Sequence, residues 1–135
     1  MRLYLDTSMV IHLVERSVPE QEAILIAALN ERAARKPLLC WTELTRLECR
    51  VKPLRERDKD LLSCYDMFFS QPAASHVPID KTVFDLATEL RARHRLKTPD
   101  ALHLAAAIEA GCEEFWTNDH RLDAAASGYL HTVTL

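Results

Sequence analysis

Short apolar runs alternate with longer stretches of helical periodicity along most of this chain. The alternation is typical of a parallel sheet that is covered by helices on both faces. The predicted strands are residues 3–5, 38–41, 76–79, 114–117 and 130–134. We therefore predict an α/β fold: a three-layer α/β/α sandwich with a central parallel sheet of about five strands.

Capping signals predict where the intervening helices begin and end. Ser17 and Glu20 fit an S-x-x-E capping box, from which a long helix should run to near Lys36. Pro53 should break the next helix before a further helical stretch over residues 54–70. The other predicted caps are Thr42, Asp80 and Thr98, and Gly111 should end the helix that follows Thr98.

Length and composition place the chain among ordinary globular proteins. Its 135 residues, 48% of them hydrophobic and 27% charged, predict one domain over residues 1–135. The N-terminal segment reaches Asp6 and His12 too early for a signal peptide, and no stretch is long enough to cross a membrane, so we expect a cytoplasmic protein. The four cysteines form no C-x-x-C pair, which disfavours a zinc or redox motif.

Four acidic residues follow predicted strands or begin the helices next to them. Asp6 directly follows the first strand, and Asp119 follows the fourth. Glu48 lies in the helix after the second strand, and Asp100 lies in the first turn after Thr98. In an open parallel sheet, functional groups collect at the carboxyl ends of the strands, so these acids should converge. A cluster of carboxylates suits a hard cation, Mg²⁺ or Mn²⁺.

Each acid also has a local structural interpretation. Asp6 could cap a helix, Asp100 could complement a helix dipole, and Asp119 could form a turn. Helical periodicity does not distinguish Glu48 from Glu43, because the two flank the predicted buried face about equally. That face is Leu44, Leu47 and Val51.

Basic residues lie near two of these acids, although the formal net charge is −3. Arg46 and Arg50 flank Glu48, and residues 91–97 lead to Asp100 without an intervening acid. Charge runs are more often solvated helix faces, so they support nucleic-acid binding only weakly. His103 is more often a packed, hydrogen-bonded helix residue than a metal ligand, and we expect it and His120 to support the site or contact phosphate.

Four segments resemble a known family. They are L-Y-L-D-T-S at residues 3–8, T-E-L-T-R-L-E at 42–48, T-P-D-A-L-H-L-A-A-A at 98–107 and W-T-N-D at 116–119. In this order they are similar to the signature segments of PIN-domain nucleases, in particular the VapC-type toxins of bacterial toxin–antitoxin pairs. D-A-L-H-L-A-A-A followed by a strand and T-N-D is the specific part of the match.

The resemblance implies both a site and a function. The residues that match the family's metal-binding acids are Asp6, Glu48, Asp100 and Asp119, so the resemblance selects Glu48 over Glu43. Thr7 and Thr117 match supporting polar residues. The basic run around Glu48 and the position of His120 after Asp119, and not the resemblance, suggest Arg46, Arg50 and His120 as possible RNA contacts. The implied activity is Mg²⁺- or Mn²⁺-dependent endoribonuclease cleavage by a metal-activated water. The implied partners are RNA, a small VapB-like protein antitoxin and a second copy of the chain in a homodimer, with no membrane.

Other functions remain as alternatives. A non-catalytic PIN-like module that binds RNA or protein is one, and a structure-specific DNA nuclease is another, although the chain lacks long insertions that could clamp a duplex. A haloacid dehalogenase-type phosphatase would need a second Asp where this chain has Ser8. Only Gly111 and Gly128 are present, which excludes glycine-rich phosphate loops. A two-histidine ribonuclease that leaves cyclic phosphate is disfavoured, because the histidines form no spaced pair.

Overall fold

The computed structural model describes all 135 residues and contains one five-stranded sheet in which every neighbouring pair of strands is parallel. Its strands are β1 (Arg2–Leu5), β2 (Leu38–Trp41), β3 (Ala74–His76), β4 (Glu114–Thr117) and β5 (His131–Thr134), arranged in the order β3-β2-β1-β4-β5. The predicted α/β class and parallel sheet are confirmed.

Seven helices connect and cover the strands. They are α1 (Thr7–Glu15), α2 (Pro19–Glu31), α3 (Glu43–Arg55), α4 (Lys59–Ser70), α5 (Lys81–His94), α6 (Thr98–Glu109) and the short α7 (Asp123–Ala126). Two 3₁₀ turns, Ala33–Arg35 and His120–Leu122, follow α2 and β4. None of these helices is long and apolar enough to span a membrane.

Alternating side chains divide the core into two layers, one on each face of the sheet. Leu3 and Leu5 of β1 pack with Trp116 and with residues of α1 to α4. Tyr4, between them, packs with Phe115 on the other face, against α5, α6 and α7. This period of two is what a strand buried on both faces requires.

The strand order reverses beside β1, since β2 pairs with one edge of β1 and β4 with the other. The loops that leave β1 and β4 therefore diverge from the same point at the carboxyl end of the sheet. Such a switch point opens a crevice in which parallel α/β proteins bind ligands. Asp6 and Asp119 follow these two strands.

The third strand differs from the prediction of residues 76–79. It spans Ala74–His76 and pairs Leu39 with Ala74 and Trp41 with His76. Val77 still donates its N–H to Trp41 O at 2.8 Å, but Pro78 has no N–H with which to continue the ladder. Of the predicted run only Val77 is buried, and the pairing residues are Ala74, Ser75 and His76.

The prediction of a capping box at Ser17 is wrong. Val18 occupies the N-cap of α2, with no side-chain hydrogen bond, and the helix begins at Pro19, where the missing N–H has no cost. The helix ends at Glu31 rather than near Lys36, and a 3₁₀ turn takes up the remaining residues.

Two further helix boundaries also differ from the prediction. Pro53 lies inside α3, which continues to Arg55, and the next helix begins at Lys59 after its cap Asp58. Helix α6 begins at Thr98 instead of being capped by it, and Lys97 holds the cap position without a side-chain bond. The predicted caps Thr42 and Asp80 are confirmed, since each accepts a first-turn N–H.

Candidate active site

Asp6 lies at the switch point and is fixed by two hydrogen bonds. Its Oδ1 accepts the N–H of Thr7 at 2.8 Å, which makes Asp6 the N-cap of α1. Its Oδ2 accepts the hydroxyl of Thr117 at 2.9 Å. The capping function that the sequence offered as an alternative is thus real. It also fixes the carboxylate at the mouth of the crevice.

Thr117 connects Asp6 to the second acid of the switch point. Its side chain is buried, donates to Asp6 and accepts the backbone N–H of Asp119 at 3.1 Å. The Asp119 carboxylate accepts the backbone N–H of Arg121 on Oδ1 at 2.9 Å, and it also accepts the Arg121 guanidinium, whose Nε lies 2.9 Å from Oδ1 and whose Nη2 lies 2.6 Å from Oδ2. The Arg121 guanidinium lowers the pKa of Asp119 below its usual value.

Asp100 completes the group of three aspartates from the first turn of α6. Burial raises the pKa of Asp100, and the nearby charges of Asp6 and Asp119 raise it further. Arg121 acts in the opposite direction but does not cancel these effects. Repulsion between these carboxylates disfavours the ionised form of Asp100 in the metal-free protein, and a bound cation would offset that repulsion.

Glu48 approaches the cluster from α3 and is held on one oxygen by two donors. Its Oε1 accepts the Thr7 hydroxyl at 2.8 Å and lies 2.6 Å from Nε2 of His103. Burial raises the pKa of Glu48, but the hydrogen bonds from His103 and Thr7 outweigh burial and leave the pKa lowered. Glu48 is therefore an oriented carboxylate, and its second oxygen has no partner in the protein.

Glu43 points away from this group. Its carboxylate lies 3.6 Å from Arg46 and 3.6 Å from Nε2 of His76, and its side chain is 64% exposed. Helical periodicity did not distinguish Glu43 from Glu48. In the structure, only Glu48 contacts Thr7 and His103.

The predicted buried face of α3 is wrong. Leu44 is half-buried, whereas Leu47 and Val51 are 59% and 42% exposed. The buried residues of this helix are Thr45, Cys49 and Pro53. Thr45 can be buried because its hydroxyl completes the capping box with Thr42, accepting the Thr42 N–H at 3.2 Å.

His103 is buried and links Glu48 to the core. Its Nδ1 lies 2.7 Å from the hydroxyl of Tyr4, which is fully buried in β1. Burial raises the pKa of Tyr4, so its hydroxyl stays protonated and donates to Nδ1 when Nε2–H is given to Glu48. The resulting Tyr4–His103–Glu48 chain fixes both the tautomer and the ring orientation.

Two residues of this arrangement, Tyr4 and Arg121, are not identified by the sequence patterns. The signal for Arg121 is its position two residues after Asp119, because an Asp side chain can accept the backbone N–H two residues on in an Asx turn, as Asp119 does here. For Tyr4, the alternation of β1 places its side chain on the α6 face, opposite to Leu3 and Leu5. Neither signal by itself distinguishes a residue of the site from an ordinary turn or core residue.

The predicted RNA contacts lie around the site but are engaged with acids. Arg46 lies 3.6 Å from Glu43, and Arg50 lies 3.6 Å from Asp66. His120 is exposed and lies 3.5 Å from Asp123. No three His, Cys, Asp or Glu side chains converge closely enough to bind a metal ion as they stand. The donor set nevertheless suits a hard cation, because it consists of carboxylate and hydroxyl oxygens and Arg121 already supplies one compensating positive charge.

We expect Asp100→Asn to stabilise the metal-free fold at neutral pH. Because the folded-state pKa of Asp100 is raised, its ionised form opposes folding, and this penalty disappears as the pH falls and the carboxyl binds a proton. Urea unfolding in EDTA should therefore show the variant to be more stable at pH 7, and the difference should shrink toward about pH 4. Asp60→Asn, which removes an exposed carboxylate outside the cluster, should give no such gain. A destabilised Asp100→Asn protein at pH 7 would contradict the conclusion that the ionised Asp100 carboxylate is unfavourable in the folded protein.

Comparisons with known proteins agree with this fold. The family model of the PIN domain matches residues 3–128, and the chain belongs to this family. A search of curated proteins found no significant match. VapBC2 from Rickettsia felis, solved with a DNA fragment of its promoter, is similar with a TM-score of 0.76 and 16% identity, over 99% of this chain and 98% of that one.

Two further structures show the same similarity. A toxin–antitoxin complex from Klebsiella pneumoniae has a TM-score of 0.69 and 21% identity, over 98% of this chain and 96% of that one. FitAcB from Neisseria gonorrhoeae has a TM-score of 0.72 and 17% identity, over the same shares of the two chains. At these identities the matches establish the shared fold.

Proposed function

We propose that the chain is a metal-dependent endoribonuclease, the toxin of a type II toxin–antitoxin pair. The observation that carries this proposal is the set of oriented acids at the switch point of a PIN domain. Thr117 is hydrogen-bonded to both Asp6 and Asp119. Thr7 donates its N–H to Asp6 and its hydroxyl to Glu48. Burial and the nearby charges of Asp6 and Asp119 raise the pKa of Asp100.

The residues that would hold Mg²⁺ or Mn²⁺ are Asp6, Glu48, Asp100 and Asp119. When bound, such an ion supplies a water of lowered pKa and offsets charge that develops on the phosphate. Thr7 and Thr117 hold carboxylate oxygens in place, and His103 holds Glu48. The second oxygen of Glu48 has no partner in the protein, whereas both oxygens of Asp119 are bonded to Arg121, so Arg121 would have to release Asp119 for that carboxylate to hold a cation.

A protein antitoxin is the partner that best fits this site. The similar structure from Klebsiella pneumoniae is a toxin–antitoxin complex. The bidentate pair of Arg121 with Asp119 is an internal example of a guanidinium in the acid cluster, and an Arg or Lys of an antitoxin would compete there with metal and RNA. Leu47, Val51 and Leu54 form an exposed apolar stripe on α3, which supports a homodimer as the second assembly. The protein would act in the cytoplasm, where RNA and antitoxin meet.

Cleavage of RNA by purified protein tests the activity. We expect Mg²⁺ or Mn²⁺ to be required, EDTA to abolish cleavage, Ca²⁺ to substitute poorly, and the products to carry 5′-phosphate and 3′-OH ends. Robust cleavage in EDTA, or cyclic phosphate ends, would rule out the metal-activated water. RNA binding without cleavage in any divalent cation would favour a non-catalytic PIN-like module, and cleavage of structured DNA alone would favour a DNA nuclease.

A further inference from the structure

A basic cavity of about 300 Å³ lies beside the acid cluster, between the end of α5 and the turn after β4. The basic side chains that line it are His94, Arg95, Lys97 and Arg121. Asp100 is its one acidic lining residue, and the buried Leu96 and Leu122 contribute the rest of its wall. The cavity therefore joins the acid cluster through the carboxylate of Asp100.

Three of the four basic side chains of the cavity are free, and the fourth, Arg121, is paired with Asp119. The side chains of His94, Arg95 and Lys97 make no ion pair and no hydrogen bond within the protein, whereas Arg46 and Arg50 beside Glu48 are paired with Glu43 and Asp66. Free cations next to a group of carboxylates are suited to an anion that must approach those carboxylates against their repulsion.

The backbone that carries these cations is held in place. Arg95 has a positive φ of 54° and closes α5 by donating its N–H to Arg91 O at 2.9 Å. The Arg91 side chain then donates Nε–H to the carbonyl of Leu96 at 2.8 Å. Lys97 occupies the N-cap of α6, where no side chain accepts the first-turn N–H groups. The helix dipole thus adds positive potential where Lys97 and Asp100 meet.

We propose that this cavity, formed around Arg95 and Lys97, binds a backbone phosphate of the RNA next to the phosphate that is cut. The inference rests on the proposed ribonuclease function and names the subsite that the function requires beside the acids. A phosphodiester is the chemistry that fits, because two flexible cations and a histidine recognise an anion without reading a base. The cavity would hold the RNA strand by one phosphate while the acids act on the adjacent phosphate.

Salt-dependent RNA binding tests this subsite with matched variants. The Asp6→Asn protein in EDTA is titrated with a fluorescent single-stranded RNA at several NaCl concentrations, alone and combined with Arg95→Asn, Lys97→Gln or Arg93→Gln. Asn tolerates the left-handed backbone of residue 95, so the first variant keeps the turn. Arg93 is exposed on α5 and does not line the cavity, so Arg93→Gln removes the same charge elsewhere.

Arg95→Asn and Lys97→Gln should each weaken binding about fivefold and lower the slope of log K against log salt by about 1, for RNAs of unrelated sequence alike. Arg93→Gln should stay within about twofold of the parent. Equal effects of all three variants, or none from the first two, would overturn the subsite, and so would a loss confined to one RNA sequence. Cleavage in Mg²⁺ is measured separately on proteins that keep Asp6. Normal cleavage with unchanged binding removes the subsite and leaves the nuclease, whereas altered binding without cleavage removes the nuclease and leaves the subsite.

Discussion

The Asp6→Asn protein is expected to lose RNA cleavage by a factor of at least about 100, because the change would remove a charged oxygen ligand of the proposed metal ion, worth several kcal/mol of transition-state stabilisation. The fold should survive the change. Asn Oδ1 can still accept the Thr7 N–H that caps α1, and Thr117 can accept from the new amide, since its hydroxyl rotates. The measurement is the initial cleavage rate in Mg²⁺, with circular dichroism to confirm folding.

Asp80→Asn is the matched control for this change. Asp80 also caps a helix, accepting the Val83 N–H at 3.1 Å, and Asn is an equally good cap at that position. The control removes one negative charge and one capping carboxylate at a distance from the acids, so cleavage should be unchanged. Expression of the wild-type chain should slow bacterial growth, and Asp6→Asn should relieve this effect. If wild type and Asp6→Asn slow growth equally, the toxicity does not come from the acid cluster.

A second large effect is expected within α3, where two glutamates differ in their surroundings. Glu48→Gln should reduce cleavage by about 100-fold or more, because the oriented carboxylate loses its charge. Gln can still accept from Thr7 and His103 through its amide oxygen, so the helix should pack as before. Glu43→Gln removes the same charge from an exposed position, and its cleavage rate should stay within about twofold of wild type.

Comparing these two variants in one assay decides which acid of the helix acts. A severe loss with Glu43→Gln and normal cleavage with Glu48→Gln would show that the site is built from the other side of α3. Equal, mild effects would remove α3 from the site altogether. His103→Gln adds a positioning test, since it should raise the concentration of Mg²⁺ required for half-maximal cleavage by about 10-fold or more while leaving the fold intact.

The sequence predicted the fold and the positions of the aspartates because both are determined locally. The end of a buried strand is marked by the change from apolar to polar residues, and this change alone places Asp6 and Asp119 at the carboxyl edge of the sheet. Asp100 follows from a helix start that Pro99 marks. These features depend on residues that are adjacent in the sequence, so the pattern of apolar and polar residues is sufficient to predict them.

The environment of Glu48 could not be read in this way. Hydrophobic periodicity assigned Leu47 and Val51 to the core, but Thr45 and Cys49 are buried there instead. Thr45 is tolerated inside because Thr42, and Tyr4 at a distance of 3.5 Å, meet its hydroxyl. Hydrophobic periodicity cannot predict a hydrogen-bond partner that lies on another strand. It therefore cannot predict the hydrogen bond between Tyr4 and His103 either.

The ion pair of Arg121 with Asp119 has a consequence for the response of the protein to ionic strength. Arg121 is 73% exposed, so added monovalent salt screens its attraction to Asp119. The same salt would screen the attraction of a divalent ion to the acids more strongly, because that ion carries twice the charge, so loosening the ion pair would not offset the loss. Salt would also weaken the attraction of a polyanionic RNA to Arg95 and Lys97. Cleavage should therefore fall more steeply with added salt than RNA binding measured without metal, and an equal salt dependence of the two would contradict a cation at the acids.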